Sequence, residues 1–328
     1  MEGLELLTSC NWLYRNCPVC DAQSVHTLFR DRNRREGYEL ETDLVECSVC
    51  GMRYLNPVPT ANDWMEKYDV GHKQACVSRK DYHSIPGRYM AYLLDQWVYR
   101  LWARDMRLHY APFGPGAGKR ILDIGCGKGE KLTEFQRRGF QVYGIDVSGT
   151  AISEARQKVS GDFHVGSFES ADYPAEFFDV IRFDNVLEHI YDPKSFLQKV
   201  FTLLRPGGEV YAYVPNGDSP TMCWMGKFSV NSWVPFHINL FTPETLLRLA
   251  SEAGLIVRVI PISNPNWVAL SAYQYLNRNQ KQFDFNNNGF WMIKVTGALV
   301  APIWWALKRM GTGEEVCLKA MRPLARGI

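Results

Sequence analysis

The stretch Leu122-Asp123-Ile124-Gly125-Cys126-Gly127-Lys128-Gly129-Glu130 decides the fold of this 328-residue chain. It follows the basic-apolar start Arg120-Ile121, so residues 120–124 have the pattern of a buried strand. The alternating glycines predict a tight turn, and the helical spacing after them continues to about Arg138. Because such a turn lets a ligand approach the backbone, and because a helix start offers unpaired N–H groups, the stretch predicts a nucleotide-type binding loop.

The residues downstream repeat the same alternation. Apolar segments at 141–145, 178–183 and 208–214 predict strands, and amphipathic segments at 150–158 and 194–204 predict helices. A further helix is expected over Thr242–Ala253, capped by Thr242, and a strand over Leu255–Ile260. Strands that alternate with helices of this length indicate βαβ units, so we expect an α/β fold around a parallel sheet.

Two carboxylates limit which ligand the glycine loop can bind. Asp123 at the end of the first strand would repel a pyrophosphate but suits a ligand with an ammonium group. Asp146 ends the second strand, where a carboxylate can accept hydrogen bonds from ribose hydroxyls. The pair predicts a ligand that has a ribose and a positive end but no phosphates, as S-adenosylmethionine does.

Four segments, in order along the chain, resemble the motifs of class I S-adenosylmethionine-dependent methyltransferases: residues 123–129, 143–148, 178–190 and 204–208. The resemblance is closest to the ubiquinone-methyltransferase-like group and extends to Pro235-Phe-His237 and the helix that follows. It implies a Rossmann-like sheet of seven strands, with residues 311–320 in its last, antiparallel strand. It also implies an enzyme that transfers a methyl group from S-adenosylmethionine.

The resemblance implies a set of cofactor contacts at the strand ends. An acidic residue often holds the adenine amino group in this family, but Gly166-Ser167-Phe168 stands here instead, so we expect Ser167 or the backbone to hold it. The expected cofactor-binding residues are Asp123, Gly125, Cys126, Gly127, Asp146, Val147, Ser167, Phe168, Asp184 and Asn185.

Two histidines lie where the family places the rim of its active site. His237 is flanked by Trp233 and Phe236, and His189 follows Glu188 after the fourth strand. An alcohol is protonated at neutral pH and needs a base, for which histidine has a suitable pKa of about 6.5. We predict either histidine as the catalytic base for an oxygen acceptor, with nitrogen and carbon acceptors as alternatives. The alternative role for each histidine is a structural one, bonded to backbone.

Two C-x2-C pairs, Cys17 with Cys20 and Cys47 with Cys50, precede this region. Two such turns supply the four thiolates of a closed structural zinc site, which we predict here. Two unrelated reduced pairs, or a redox pair, are the alternatives. The knuckles resemble those of bacterial methyltransferases that act on sugars and natural products.

These features divide the chain into three predicted parts: a zinc-knuckle module over 1–60, a helical lid or linker over 61–117, and a methyltransferase domain over 118–328. Seven Gly, Pro or Ala residues within Ala111–Gly118 mark the last boundary. We expect residues 262–310 to form an insertion that covers the active site. Its aromatic part, 290–310, is either a packed lid or a peripheral membrane contact.

The composition of the chain limits the kinds of partner that we expect it to bind. A formal net charge of +2 argues against a protein that mainly binds nucleic acid. The N-terminus has no basic and apolar signal pattern, so we expect a cytoplasmic protein. The expected acceptor is a small molecule or a glycan, including a lipid-linked one. The alternatives are an rRNA base methyltransferase with a zinc-containing RNA-binding module, and a non-catalytic cofactor-binding protein.

Overall fold

A computed structural model describes residues 12–32, 41–60, 114–276 and 299–324, the last range without 300, 301, 304 and 308. The described residues form two compact units. The first contains 12–60, 216–240 and 261–315 within the described ranges, and the second contains 114–215, 241–260 and 316–324. The predicted lid or linker, apart from 114–117, lies outside the described residues.

The second unit is built on a seven-stranded sheet. In chain order its strands are β6 (Arg120–Ile124), β7 (Gln141–Asp146), β8 (Asp162–Val165), β9 (Phe178–Asp184), β10 (Leu204–Pro215), β12 (Ile256–Ile262) and β13 (Glu315–Met321). Their spatial order is β12-β13-β10-β9-β6-β7-β8, and the pairs from β10 to β8 are parallel. The order reverses between β6 and β9, where open α/β sheets bind ligands at the carboxyl ends of their strands.

The last strand runs against its neighbour. Gly207 and Arg322 pair near one end of the two strands, and Asn216 donates its N–H to the carbonyl of Glu314 near the other. Strand β13 is therefore antiparallel to β10, as predicted.

Helices α1 (Glu130–Arg137), α2 (Gly149–Lys158), α3 (Pro193–Leu203) and α5 (Pro243–Glu252) belong to the second unit. Local chemistry fixes where they begin. The side chains of Ser148 and Asp192 accept N–H groups from the first turns of α2 and α3, and Thr242 forms a reciprocal capping box at the start of α5. The apolar faces of α1 and α2 bury Leu132, Phe135 and Ile152 in the core.

The first unit holds the cysteine pairs. Strands β2 (Val25–Arg32), β3 (Glu41–Cys47) and β4 (Arg53–Asn56) pair antiparallel, and β11 (Asn239–Leu240) adds the fourth strand. Strands β1 (Trp12–Leu13) and β5 (Val58–Pro59) form a separate pair, and helices α4 (Pro220–Met225) and α6 (Pro265–Leu276) complete the unit.

The predicted α/β class I methyltransferase fold is confirmed by its seven-stranded sheet, and α2, α3 and α5 begin within one residue of their predicted starts. The short strands β8 and β11 were not predicted. Because β11 completes the sheet of the cysteine pairs, a module that ends at residue 60 lacks its fourth strand. In the part of the chain that the structure describes, no helix is long and apolar enough to cross a membrane.

Candidate active site

The glycine loop between β6 and α1 adopts the turn that its sequence predicts. The N–H groups of Gly125 and Cys126 both donate to the carbonyl of Ile145, which ties the loop to β7. Gly125 has φ +73°, and a Cβ built on it would lie 2.6 Å from Cγ2 of Val186. Gly127 has φ +52°, and nothing lies within 4 Å of the corresponding position. The loop is thus closed towards Val186 and open at Gly127, which leaves room for a ligand beside its backbone.

Asp146 holds the same loop from the end of β7. Its Oδ2 atom accepts the N–H of Gly127 at 2.8 Å, and its Oδ1 atom accepts the N–H of Ser148 at 2.8 Å. Each carboxylate oxygen has further lone-pair capacity, so these bonds orient the group without using all its acceptor sites. The adjacent Val147 is 40% exposed, an apolar side chain at the ligand edge of the sheet.

Asp123 lies beneath the loop rather than on its surface, since it is only 1% exposed. Its Oδ1 accepts a hydrogen bond from Arg182 at 2.7 Å, and Arg182 also donates to Asp184 at 2.5 Å. Burial raises the pKa of Asp123, and the Arg182 guanidinium opposes that rise. Burial alone would lower the pKa of Arg182, but the two carboxylates hold it above its ordinary value. Arg182 was not predicted as a site residue; the available signal was its charge between the apolar residues Ile181 and Phe183.

The segment expected to hold adenine follows β8. Ser167 is half-buried, whereas the ring of Phe168 is 3% exposed and packs 4.8 Å from the ring of Phe196. Only the backbone of Phe168 can therefore face a ligand. Lys199 on α3 donates from Nζ to the carbonyls of Phe168, Glu169 and Ala171 at 2.8, 3.0 and 2.7 Å. This cation fixes the shape of the segment and was not found from the sequence.

Strand β9 ends at Asp184, and Asn185 follows it; both were expected to bind the cofactor. Asn185 has φ +53°, a left-handed conformation that non-glycine residues adopt at a cost of about 1 kcal/mol or more. Its N–H donates to the carbonyl of Tyr213, and its Oδ1 has no hydrogen-bond partner in the described part of the chain. A strained residue with an unsatisfied acceptor at the ligand edge of the sheet is typical of a binding position.

His189 closes a short 3-10 helix, Leu187–His189, in the second unit. Its side chain is 11% exposed, and its Nε2 lies 3.9 Å from Oε1 of Glu188, which is fully buried. At this distance the two side chains are near enough for an ion pair but too far apart for a hydrogen bond.

His237 belongs to the first unit and is 5% exposed. Its Nδ1 lies 2.8 Å from the backbone carbonyl of Asn231, and the ring of Trp233 packs edge-on at 5.2 Å. A carbonyl only accepts, so Nδ1 carries a proton. In the neutral form of the ring the lone pair is then on Nε2.

The residue that supplies this carbonyl is itself held by a buried network. Nδ2 of Asn231 lies within hydrogen-bond distance of the Asn216 carbonyl, Ser219 Oγ and the Glu314 carbonyl. The carboxyl group of Glu314 accepts from Thr221 at 2.5 Å, and burial raises its pKa. These residues come from segments far apart in the sequence, and no motif marked them.

The four predicted cysteines converge in the first unit. The Sγ atoms of Cys17, Cys20, Cys47 and Cys50 all lie within 4.8 Å of one another. The N–H of Gly51, at φ +73°, donates to the Cys47 carbonyl and closes the second turn. Tetrahedral zinc with Zn–S bonds of about 2.3 Å needs such a spacing, so the donor set fits zinc.

Comparison with known proteins shows the family to which the chain belongs. A family model described as a methyltransferase domain matches residues 87–258, more than half of the chain. The ubiquinone biosynthesis O-methyltransferase of Aeromonas salmonicida (strain A449) is 34% identical over 174 residues, which are 49% of this chain and 72% of that protein. The protein of the same name from Chelativorans sp. (strain BNC1) is 34% identical over 155 residues, 44% of this chain and 61% of its own.

A solved structure of phosphoethanolamine N-methyltransferase 2 from Haemonchus contortus, in complex with S-adenosyl-L-methionine, covers 86% of this chain and 64% of its own. The TM-score is 0.48 at 18% identity, so the match carries no functional argument.

The chain belongs to the methyltransferase domain family. It is a class I S-adenosylmethionine-dependent methyltransferase, with a cluster of four cysteines in its N-terminal part.

Proposed function

We propose that the protein methylates a hydroxyl group of a small-molecule or glycan acceptor, with His237 as the base. The hydrogen bond from Nδ1 of His237 to the Asn231 carbonyl carries the proposal. It fixes the tautomer whose Nε2 can take the hydroxyl proton, which is what a general base needs at neutral pH. His189, with Glu188 at 3.9 Å, is the second candidate for that role.

S-adenosylmethionine, when bound, supplies a methyl group on a sulfonium for in-line displacement. The chain's part is to hold the two reactants in line and to exclude water. Asp146 is proposed to accept from the ribose hydroxyls, and Val147 and Ser167 to contact the adenine. The backbone of Gly125, Cys126 and Gly127 lines the loop, and Asp184 and Asn185 border the methyl group. Because Arg182 neutralises Asp123, Asp123 is proposed to anchor the loop from below.

The four cysteines are proposed to bind one structural zinc ion. A closed set of four thiolates has no open position for a substrate, so the ion would stabilise the module and would not activate the acceptor. The proposal is supported by the proximity of the four Sγ atoms of Cys17, Cys20, Cys47 and Cys50.

The acceptor is proposed to be a sugar or natural-product hydroxyl, because the cysteine knuckles resemble those of enzymes with such substrates. The matched relatives are named for ubiquinone biosynthesis, which makes a phenolic hydroxyl the second candidate. An aliphatic alcohol has a much higher pKa than a phenol and depends more strongly on a base, so the two acceptors predict different losses when His237 is replaced.

The test uses methyl-labelled S-adenosylmethionine with a cell extract separated into RNA, lipid and water-soluble fractions, and separately with 3,4-dihydroxybenzoate as a phenolic probe. We expect label in the soluble or lipid fraction, and a loss of about 10² to 10⁴ in rate for His237→Gln with unchanged S-adenosylhomocysteine affinity. His26→Gln is the matched control, a half-exposed histidine in the same unit.

Label in the RNA fraction would overturn the proposed acceptor class and favour an RNA methyltransferase. Label on 3,4-dihydroxybenzoate alone would favour the phenol. A His237→Gln enzyme with the full rate, beside a His189→Gln enzyme that is inactive, would move the base to His189.

A further inference from the structure

The segment that carries His237 is hydrogen-bonded to residues that flank the two cysteine turns of the first unit. The carbonyl of Ile238, the next residue in the chain, accepts the N–H of Leu55 at 3.0 Å and Nη2 of Arg15 at 2.6 Å. Leu55 lies on β4, which begins directly after the Cys47–Cys50 turn, and Arg15 lies two residues before Cys17. The carbonyl next to the proposed base thus accepts hydrogen bonds from a residue before the first cysteine pair and from a residue after the second pair.

Arg15 makes more than this one bond to the segment. Its Nη2 also donates to Oδ1 of Asn239 at 3.0 Å, and its guanidinium lies 5.3 Å from the centroid of the Tyr54 ring. Its own backbone is fixed, because Asn56 accepts its N–H and donates Nδ2 to its carbonyl, both at 3.1 Å. The side chain therefore acts as a fixed fork between the first cysteine turn and β11.

Strand pairing and a second arginine also connect β4 to the segments around His237. Asn239 pairs with Tyr54, and Leu240 pairs with Arg53. Arg53 also bonds the Gly217 carbonyl and reaches Oδ1 of Asp218 at 2.7 Å. Asp218 begins the stretch that leads to Ser219 and Asn231, so the start of the network behind His237 is also attached to β4.

We propose that the four-cysteine module is the support that sets the position and tautomer of His237, with Arg15 as the positioning residue that connects them. The inference rests on the proposed role of His237 and extends the role of the cysteines beyond local stability. When the cysteine turns lose their metal, only the two hydrogen bonds of Asn56 still join Arg15 to β4, and the two bonds to Ile238 are weakened. His237 then leaves the Asn231 carbonyl.

The test follows the histidine itself by long-range proton–nitrogen NMR on protein labelled with ¹⁵N-histidine, with His237→Gln identifying the signal. The zinc content and the affinity for S-adenosylhomocysteine are measured in parallel. In the wild type we expect the Nδ1–H tautomer. In Cys20→Ser we expect loss of zinc and of that signature, with S-adenosylhomocysteine affinity within about twofold, because the proposed cofactor residues lie in the second unit.

Arg15→Met tests the connection between the cysteine module and the His237 segment without removing a metal ligand. We expect its zinc content to be unchanged, its tautomer signature to be averaged, and its methyl-transfer rate to fall about 10- to 100-fold without a matching rise in KM for S-adenosylmethionine. Arg15→Lys, which keeps the charge and one donor, should recover part of the signature. Arg30→Met is the matched control, since Arg30 lies on β2 of the same sheet and bonds Asp43 instead.

An unchanged His237 signature in both Arg15→Met and zinc-free protein would overturn the inference. So would an Arg30→Met variant that alters the signature as much as Arg15→Met does. If Cys20→Ser does not fold, Arg15→Met alone decides. If the wild type labels no acceptor, the proposed function fails, and the tautomer measurement still tests whether the module supports His237.

Discussion

Two buried carboxyl groups, one in each compact unit, are stabilised in opposite ways. Asp123 in the second unit is bonded to the guanidinium of Arg182 at 2.7 Å. Glu314 in the first unit is equally buried, but its carboxyl group accepts a hydrogen bond from a neutral group, the hydroxyl of Thr221. Burial raises the pKa of both carboxyl groups, but the Arg182 guanidinium opposes the rise at Asp123, whereas hydroxyl groups oppose it at Glu314. The two carboxyl groups should therefore differ in what their removal costs, because only removal of Asp123 leaves a buried cation with less compensation.

Asp123→Ala should give the largest effect. It leaves Arg182 in the sheet with Asp184 as its remaining carboxylate partner, and an under-compensated buried charge costs about 3 kcal/mol of unfolding free energy. Glu314→Ala removes a carboxyl from neutral partners and should cost about 1 to 2 kcal/mol. Urea unfolding measures both. Equal losses would show that the charge on Arg182 does not distinguish the two sites.

Gly125→Ala tests whether the cofactor loop depends on close approach rather than on backbone angle alone. Its added Cβ would meet Val186 at 2.6 Å in addition to the strain of a positive φ, which is about 1 to 2 kcal/mol. We expect S-adenosylhomocysteine affinity to fall about tenfold or more, as measured by calorimetry. Gly118→Ala is the matched control, with φ +80° and nothing within 4 Å. If it weakens binding equally, backbone strain alone explains the effect.

Glu314→Gln tests the pH response of the first unit. Burial raises the pKa of Glu314 above its ordinary value of 4.5, so the folded state binds this proton more tightly than the unfolded state. The stability it contributes is present at low pH and is lost as the pH rises from about 4.5 through the raised pKa. We expect the wild type to lose melting temperature over this range and Glu314→Gln to lose less. A steeper loss in the variant would contradict the assigned direction.

Much of the fold could be predicted because its signals are local. Strand β6, the glycine loop and α1 follow one another within residues 120–137, and each boundary has its own cap or glycine. Strand β11 could not be predicted, since two residues carry no periodicity and its pairing with β4 joins distant segments. The cysteine pairs were visible because their spacing repeats.

The candidate site likewise has a part that could be predicted from the sequence and a part that could not. Asp146 and the loop glycines are neighbours through adjacent strands, so their meeting follows from the order of the motifs. The acceptor of the His237 proton is a backbone carbonyl, which has no sequence signature, and Asn231 is held by Glu314 from the far end of the chain. The charge of Arg182 among apolar residues could have been noticed in the sequence. Its partner Asp123, however, was expected to face the ligand and not an arginine.

Lys199→Met should give the smallest effect and tests whether the second unit also relies on a side chain remote from the ligand. Lys199 donates to three carbonyls of the segment that contains Ser167 and Phe168, and methionine keeps the length but not the donors. Loss of these bonds should loosen the segment and weaken S-adenosylhomocysteine binding about threefold to tenfold, since such bonds contribute about 1 kcal/mol. Lys194→Met, on the same helix, is the control. Equal weakening by both variants would mean that overall charge, and not the shape of the adenine segment, sets the affinity.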